Sequence, residues 1–87
     1  MRPSCIETSP DEWERLSNGL LKPLLPLVRN DFAVAVERRA SGEDCIILPA
    51  DPLYDLLVQG RFRGILPATA EERRFAALVE LAASKGA

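Results

Sequence analysis

The spacing of apolar residues predicts a first helix from about Pro10 toward Gly19. Ser9 is a favoured N-cap, Pro10 suits the first helical position, and Glu12 follows three residues after the cap, as in a capping box. The apolar stripe of this helix repeats at helical spacing, and it consists of Trp13, Leu16 and Leu20.

The leucine-rich stretch over residues 20–28 is too apolar for a solvated loop, so it must cover a core or a partner. Pro23 and Pro26 cannot both lie inside one regular helix, because each removes a backbone donor and clashes with the preceding turn. We therefore expect a break near residues 19–22, followed by a second short helix or an irregular turn that ends near Asn30.

Two apolar runs in the middle of the chain predict an antiparallel hairpin. Residues Phe32–Val36 and Cys45–Leu48 read as strands, and the intervening "ERRASGED" carries a Ser-Gly turn signal. Cys5 and Ile6 could add a short N-terminal edge strand. Since both runs are almost continuously apolar, we expect helices to cover one face of the sheet and a second copy or a partner to cover the other.

A further helix is predicted to follow the hairpin. Asp51 is its expected N-cap, Pro52 takes the first helical position, and Gly60 ends it. Its apolar face consists of Leu53, Leu56 and Leu57.

The last helix has the clearest signals in the chain. Thr69 and Glu72 form a capping box, acidic residues occupy the first turn, and Lys85 complements the C-terminal dipole. One face of this helix is apolar and consists of Phe75, Leu78, Val79 and Ala82.

These elements predict an α+β fold, in which a small antiparallel sheet packs with three to four short helices. The sheet is the central hairpin, with the N-terminal edge strand as an optional addition. Residues 1–60 are expected to form a compact domain. Residues 61–87 are expected to be a linker and a C-terminal amphipathic helix that packs on that domain or on a partner.

Composition narrows the class of protein without naming an activity. The 87 residues are 47% hydrophobic and 28% charged, with a net charge of −2, so the chain has no overall attraction to nucleic acid or anionic membrane. The N-terminus lacks the apolar core of a signal peptide and the apolar runs are too short to span a bilayer. We expect a cytoplasmic protein whose two cysteines, Cys5 and Cys45, are small buried hydrophobes; a disulfide stays open if they lie on neighbouring strands.

The sequence gives little support for catalysis. It contains no histidine, which excludes a serine nucleophile with a histidine base and makes a zinc finger untenable, and it has no glycine-rich phosphate loop. Asp51 and Asp55 lie one helical turn apart and could bind Mg²⁺ or transfer protons, but we favour the simpler interpretation of an N-cap and a solvated helix residue, since aspartate is strongly preferred at N-caps. We expect no enzymatic activity and no cofactor.

The most suggestive cluster for binding is Arg61-Phe62-Arg63, because arginine and exposed aromatic residues are typical anchors at interfaces. The alternative is a solvated linker with Phe62 tucked into the core. Phe75 and Leu78 on the last helix are further candidates for contact with a partner. Arg73 and Arg74 follow Glu71 and Glu72, so we expect them to form local salt bridges rather than a binding patch.

Part of the chain resembles a known family. The matching pieces are "AVERR" at residues 35–39, "IILP" at 46–49 and "LYDLL" at 53–57. Over about residues 6–57 the sequence is similar to bacterial antitoxins of the Phd/YefM type. That resemblance implies a homodimer through the sheet and helices, DNA binding by the N-terminal part, and a C-terminal segment that wraps a toxin. Arg15, with Arg2, is the candidate for DNA contact.

Two functions therefore stay open. The first is an antitoxin-like regulator that neutralises a partner protein with its last helix and binds operator DNA. The second is a small phage or bacterial inhibitor or adaptor that occludes a larger protein complex without contacting DNA. Both are non-enzymatic and both require a protein partner.

Overall fold

The computed structural model describes residues 5–27 and 34–85, which form three strands, three α-helices and one short 3₁₀ helix. In chain order the elements are β1 (Cys5–Thr8), α1 (Pro10–Asn18), the 3₁₀ helix (Leu25–Leu27), β2 (Ala35–Arg38), β3 (Asp44–Pro49), α2 (Ala50–Phe62) and α3 (Ala70–Lys85). The α+β class with a small antiparallel sheet is confirmed. The predicted second short helix appears as the 3₁₀ helix, and its predicted end near Asn30 lies outside the described residues.

The sheet has the order β1-β3-β2, and β3 pairs antiparallel with both neighbours. Ile46 lies opposite Thr8 on one side and Val36 on the other. Alternate side chains point to opposite faces, so Ile6, Ile46 and Leu48 share the inner face. The helices pack on β1 and β3, and these three side chains are buried.

The hairpin lies further along the chain than its predicted first strand. β2 is Ala35–Arg38 rather than Phe32–Val36, and Phe32 lies outside the described residues. Because the connection is tight, the strands extend into the predicted loop: the N–H of Arg39 donates to the carbonyl of Glu43 at 2.8 Å. Gly42 has a φ of +90°, the left-handed conformation that glycine supplies in three-residue hairpin loops.

The two faces of the sheet differ in burial. On the outer face, Cys45, Ile47 and Pro49 are half-buried, and all of β2 is exposed. The helices of this chain therefore bury the inner face of the sheet at β1 and β3 and leave β2 exposed. Cover of the other face by a second copy or a partner stays a prediction.

The register of the sheet keeps the two cysteines apart. Cys5 pairs with Pro49, whereas Cys45 pairs with Glu37, so four positions of β3 separate the partner of Cys5 from Cys45. At about 3.3 Å per residue this separation is well beyond the reach of a disulfide. Being on neighbouring strands is not enough, and no disulfide joins them.

A single apolar core joins the sheet to all three α-helices. Its large side chains with almost no exposure are Leu16, Leu21, Leu24, Leu48, Leu53, Phe75 and Val79. Leu16 comes from α1, Leu53 from α2, and Phe75 and Val79 from α3. The C-terminal helix α3 therefore shares one core with the sheet and the other helices.

Helix α1 begins as its sequence predicts. The hydroxyl of Ser9 accepts a hydrogen bond from the N–H of Glu12 at 3.1 Å, and Pro10 is the first helical residue. The stripe of Trp13, Leu16 and Leu20 packs into the core or against it.

Helix α2 corrects three predictions. Its N-cap is Pro49, without a side-chain cap, so Asp51 lies in the first turn and does not cap the helix. Gly60 does not end the helix, which continues to Phe62. Consequently Arg61 and Phe62 form its last turn instead of a linker.

Gly64 ends α2 in the role that the sequence suggested for Gly60. It has a φ of +77°, its N–H donates to the carbonyl of Arg61 at 3.0 Å, and the N–H of Ile65 donates to the carbonyl of Gly60 at 2.8 Å. This is the hydrogen-bond pattern of a Schellman motif, which fixes the direction of the chain as it leaves a helix. Gly60 serves packing instead, because a Cβ there would lie 2.9 Å from a methyl carbon of Leu24.

A buried carboxylate fixes the start of α3. The capping box is present, since Glu72 N–H donates to Thr69 Oγ1 at 3.1 Å and Thr69 N–H donates to Glu72 Oε1 at 3.2 Å. The same Oε1 accepts from Ala68 N–H at 3.0 Å, while Oε2 accepts from Leu20 N–H at 2.8 Å. We call this set of hydrogen bonds the Glu72 clip. It joins α3 to the segment after α1.

The surroundings of the Glu72 clip favour the charged carboxylate. The backbone N–H of Ala68, with those of Thr69 and Leu20, lowers the pKa of Glu72 below its usual value, and burial opposes this only in part. Glu72 is therefore held as an anion in a position where only 8% of its surface is exposed.

Replacing Gly19 with alanine should disturb the Glu72 clip. A Cβ at residue 19 would lie 2.5 Å from Glu72 Oε2 and 3.1 Å from the carbonyl oxygen of Arg15. The carboxylate must then leave Leu20 N–H, so we expect Gly19→Ala to lower the free energy of unfolding by about 1–3 kcal/mol. Urea denaturation measures the change. The effect of Gly19→Ala should shrink in a Glu72→Ala background, where no carboxylate meets the added Cβ; a Gly19→Ala variant as stable as wild type would contradict the close contact.

Candidate protein-binding surface

The most exposed aromatic side chain among the described residues lies at the end of α2. Phe62 is 87% exposed, and Arg61 and Arg63 beside it are also exposed. Leu66, four residues further on, is 64% exposed. We call Arg61, Phe62, Arg63 and Leu66 the α2-end patch. The alternative in which Phe62 is tucked into the core is wrong.

The α2-end patch lies on a connection that is fixed at both ends. On one side, the Schellman motif at Gly64 sets how the chain leaves α2. On the other side, Glu72 holds Ala68 N–H and Thr69 N–H at the start of α3. Arg73 adds a hydrogen bond from its guanidinium to the carbonyl of Ala68 at 3.0 Å. Binding through a preorganised surface loses less conformational entropy than binding through a free loop.

The two arginines that flank Phe62 differ in their contacts. Arg61 forms an ion pair with Glu80 on α3, so its guanidinium lies toward the neighbouring helix and its charge is partly balanced. No described acidic side chain is ion-paired with Arg63. Arg63 is therefore the cation of the patch that is available to an outside carboxylate.

Phe75 and Leu78, the other two candidates for partner contact, differ in their burial. Phe75 is 1% exposed and belongs to the core cluster, so its side chain contacts its own domain. Leu78, only three residues later, is 46% exposed. It lines an open groove of about 370 Å³ between α3 and β1, together with Leu81, Ala82 and Ile6. Leu78 is not part of the α2-end patch, which belongs to α2 and the connection after it.

The candidates for nucleic-acid contact are not brought together. Arg2 lies outside the described residues. The guanidinium of Arg15 makes two hydrogen bonds to the carboxylate of Glu71, from Nε at 3.0 Å and from Nη2 at 2.8 Å. This bidentate contact raises the pKa of Arg15 and lowers the pKa of Glu71. A phosphate would have to compete with Glu71 for the same donors.

The charges at the start of α3 pair across the fold. Arg74 faces Glu12 of α1 at 3.9 Å, and Glu71 binds Arg15 of the same helix. The prediction of local salt bridges between Glu71-Glu72 and Arg73-Arg74 is therefore wrong. The first turn of α3 packs beside α1, so acidic and basic side chains from the two helices meet there.

The carboxylates of Asp51 and Asp55 line an open groove of about 540 Å³ between α2 and α3. Tyr54 and Glu80 line the same groove, and Glu80 is engaged by Arg61. Within the described part of the chain, no group of three or more cysteine or acidic side chains could hold a metal ion. The two aspartates are exposed side chains on the surface of α2.

Leu66 is the member of the α2-end patch that sequence reasoning missed. The sequence signal was the position of Leu66 between Gly64 and Pro67. A large apolar residue there cannot belong to the apolar stripe of a helix. The arginines and Phe62 were found from composition alone, although their place at the end of a helix was not.

Comparisons with protein-family models, with curated proteins and with solved structures give no match to this chain. Among residues 5–27 and 34–85, no helix has both the length and the apolar character needed to cross a membrane.

Proposed function

We propose that this protein is a non-enzymatic regulator that binds another protein and blocks part of its surface, with Phe62 at the centre of the contact. The observation that carries the proposal is the exposure of Phe62, which lies between two arginines at the C-terminal end of α2. Aromatic and arginine side chains supply most of the binding energy at protein interfaces, where they fill pockets of the partner.

The charge of the α2-end patch indicates the kind of pocket it fits. Arg63 is unpaired among the described residues and Arg61 is only partly neutralised by Glu80. An apolar pocket with an acidic rim would accept Phe62 in the pocket and Arg63 at the rim. Rim charges of this kind mainly raise the association rate and select the partner.

Two observations favour an occluding inhibitor or adaptor over an antitoxin-like regulator. The apolar face of α3 is used by its own core through Phe75 and Val79, so the last helix is not available to wrap a partner with that face. Arg15 is bound by Glu71, which weakens the case for DNA contact. In the proposal the chain neutralises its partner through the α2-end patch and without DNA.

Replacing Phe62 with alanine should strongly weaken binding of the partner while the fold stays intact. The partner is first identified by affinity pull-down from the native cell with mass spectrometry, and its dissociation constant is then measured by calorimetry. We expect Phe62→Ala to raise the dissociation constant at least about 30-fold, as for the loss of a buried aromatic anchor. Arg63→Glu should weaken binding more at low salt than at high salt, because salt screens the interaction between exposed charges.

Leu81→Ala is the matched control, because Leu81 is another exposed apolar side chain but lies on α3 in the groove beside β1. We expect it to bind like the wild-type chain. If Phe62→Ala binds the identified partner as tightly as wild type, the α2-end patch is not the contact surface. Salt-dependent binding of a DNA duplex that is lost in Arg15→Ala would instead support the antitoxin-like function.

A further inference from the structure

The open edge of the sheet is a second candidate interface, and it does not involve the α2-end patch. β2 is the outermost strand on its side, and each of its four residues is exposed. Val36 is 63% exposed although its partner in the register, Ile46, is buried. Exposed edge strands are normally protected by charged side chains, above all lysine, by proline or by a bulge, because they invite pairing with another strand. β2 contains neither lysine nor proline, and its two charged residues, Glu37 and Arg38, have opposite signs, so they do not oppose pairing with another copy in a suitable register.

The hairpin geometry shows which backbone groups face this edge. The N–H of Arg39 donates to Glu43, so the backbone groups of Arg39 point toward β3. In an antiparallel pair this direction alternates along the strand. Ala35 and Glu37 therefore also point toward β3, whereas the N–H and C=O of Val36 and Arg38 point to the open edge.

We propose that β2 pairs antiparallel with β2 of a second copy of this chain, with Val36 opposite Val36 of that copy on the two-fold axis. The pairing joins the two sheets into one six-stranded sheet. It uses edge groups that β3 leaves unpaired, so neither chain gives up a hydrogen bond of its own ladder. A two-fold axis closes the assembly at two chains.

Facing side chains select this register. With the axis at Val36, two valines meet, Val34 lies opposite Arg38 of the second copy, and Ala35 lies opposite Glu37. No like charges are directly opposite each other. An axis at Glu37 would place two glutamates face to face, and an axis at Arg38 would do the same with two arginines, which is unfavourable in a sheet.

The axis must also coincide with a residue rather than fall between two residues. Directly opposed residues in an antiparallel pair point to the same face of the sheet. If the axis fell between Val36 and Glu37, these residues would be opposed although they point to opposite faces of the sheet. Only residue-centred registers keep the inner faces of the two copies continuous. An axis at Ala35 also avoids like-charge pairs, but it pairs only residues 34–36 of the described chain, whereas the Val36 axis pairs all of residues 34–38.

The oligomeric state of the purified chain tests the proposal. Sedimentation equilibrium from micromolar to millimolar concentration should show a species of twice the 9.6 kDa chain mass. Val36→Lys and Val36→Glu should each raise the dimer dissociation constant at least about tenfold, because each places like charges on the axis. An equal mixture of the two variants should dimerise more tightly than either alone, since the introduced lysine of one chain then faces the introduced glutamate of the other.

Two further variants serve as controls in the same sedimentation experiment. Val36→Pro should dissociate the dimer without unfolding the chain, because the lost N–H points to the open edge and not to β3; circular dichroism checks the fold. Leu81→Lys, at an exposed apolar site away from β2, should leave the dimer unchanged. A wild-type chain that stays monomeric throughout, or a Val36→Lys variant that dimerises as wild type does, overturns the proposal, and equal behaviour of the mixture and the single variants overturns the Val36 register.

Discussion

Replacing Glu72 with glutamine should lower the free energy of unfolding by about 2–4 kcal/mol, because hydrogen bonds to a charged group are worth about 1.5–3 kcal/mol each and a buried donor is left unpaired. The carboxylate accepts from Leu20 N–H through one oxygen and from Ala68 N–H and Thr69 N–H through the other. Glutamine has one acceptor oxygen, so its NH₂ group must face a backbone N–H on one side of the clip. Urea denaturation at neutral pH measures the loss.

Glu71→Gln is the matched control, since it is the neighbouring glutamate in the same helical turn. Its carboxylate binds Arg15 at the surface, where an ion pair adds little to stability. We therefore expect a far smaller effect from Glu71→Gln than from Glu72→Gln. Equal effects of the two substitutions would mean that the Glu72 clip adds nothing beyond a surface charge.

The pH dependence supplies a second check on Glu72. Its pKa in the folded chain lies below the ordinary glutamate value of 4.5, first because of the hydrogen bond from Ala68. A lowered folded pKa contributes stability that is complete above the unfolded value and is lost as the pH falls through the folded value. The difference between wild type and Glu72→Gln should therefore be constant near neutrality and shrink below about pH 4.5, a window set by the unfolded pKa.

Sequence reasoning succeeded where the deciding contacts are local. The starts of α1 and α3 were predicted because Ser9 with Glu12, and Thr69 with Glu72, lie within one helical turn of each other. It failed where distant residues decide. Gly60 resembles a helix end, yet Leu24 packs against it and α2 continues.

The surface shows the same division between local and distant contacts. Arg15 could be assigned to phosphate contact because its partner, Glu71, lies far away in the chain and no periodicity connects them. The Arg61-Phe62-Arg63 cluster was identified from residue types alone, because aromatic residues and arginine are enriched at protein interfaces. Its exposure could not be predicted, because it follows from a Schellman motif whose glycine is Gly64 and not Gly60.

Replacing Phe75 with alanine should destabilise the fold by about 3–5 kcal/mol, the usual cost of removing a buried aromatic ring from a core that cannot fully collapse. Phe75 is among the large side chains with almost no exposure and lies in one cluster with Leu53 and Val79. Thermal or urea denaturation should show the loss directly. In a domain this small, it is a large part of the total stability.

Leu78→Ala on the same helix is the internal comparison. Leu78 is nearly half exposed, so truncation should cost less than about 1 kcal/mol. If Phe75→Ala weakens partner binding, the loss should track the unfolded fraction and disappear when a stabilising condition refolds the variant. Binding that stays weak in fully folded Phe75→Ala, with little loss of stability, would instead place Phe75 at the interface and would contradict its position in the core.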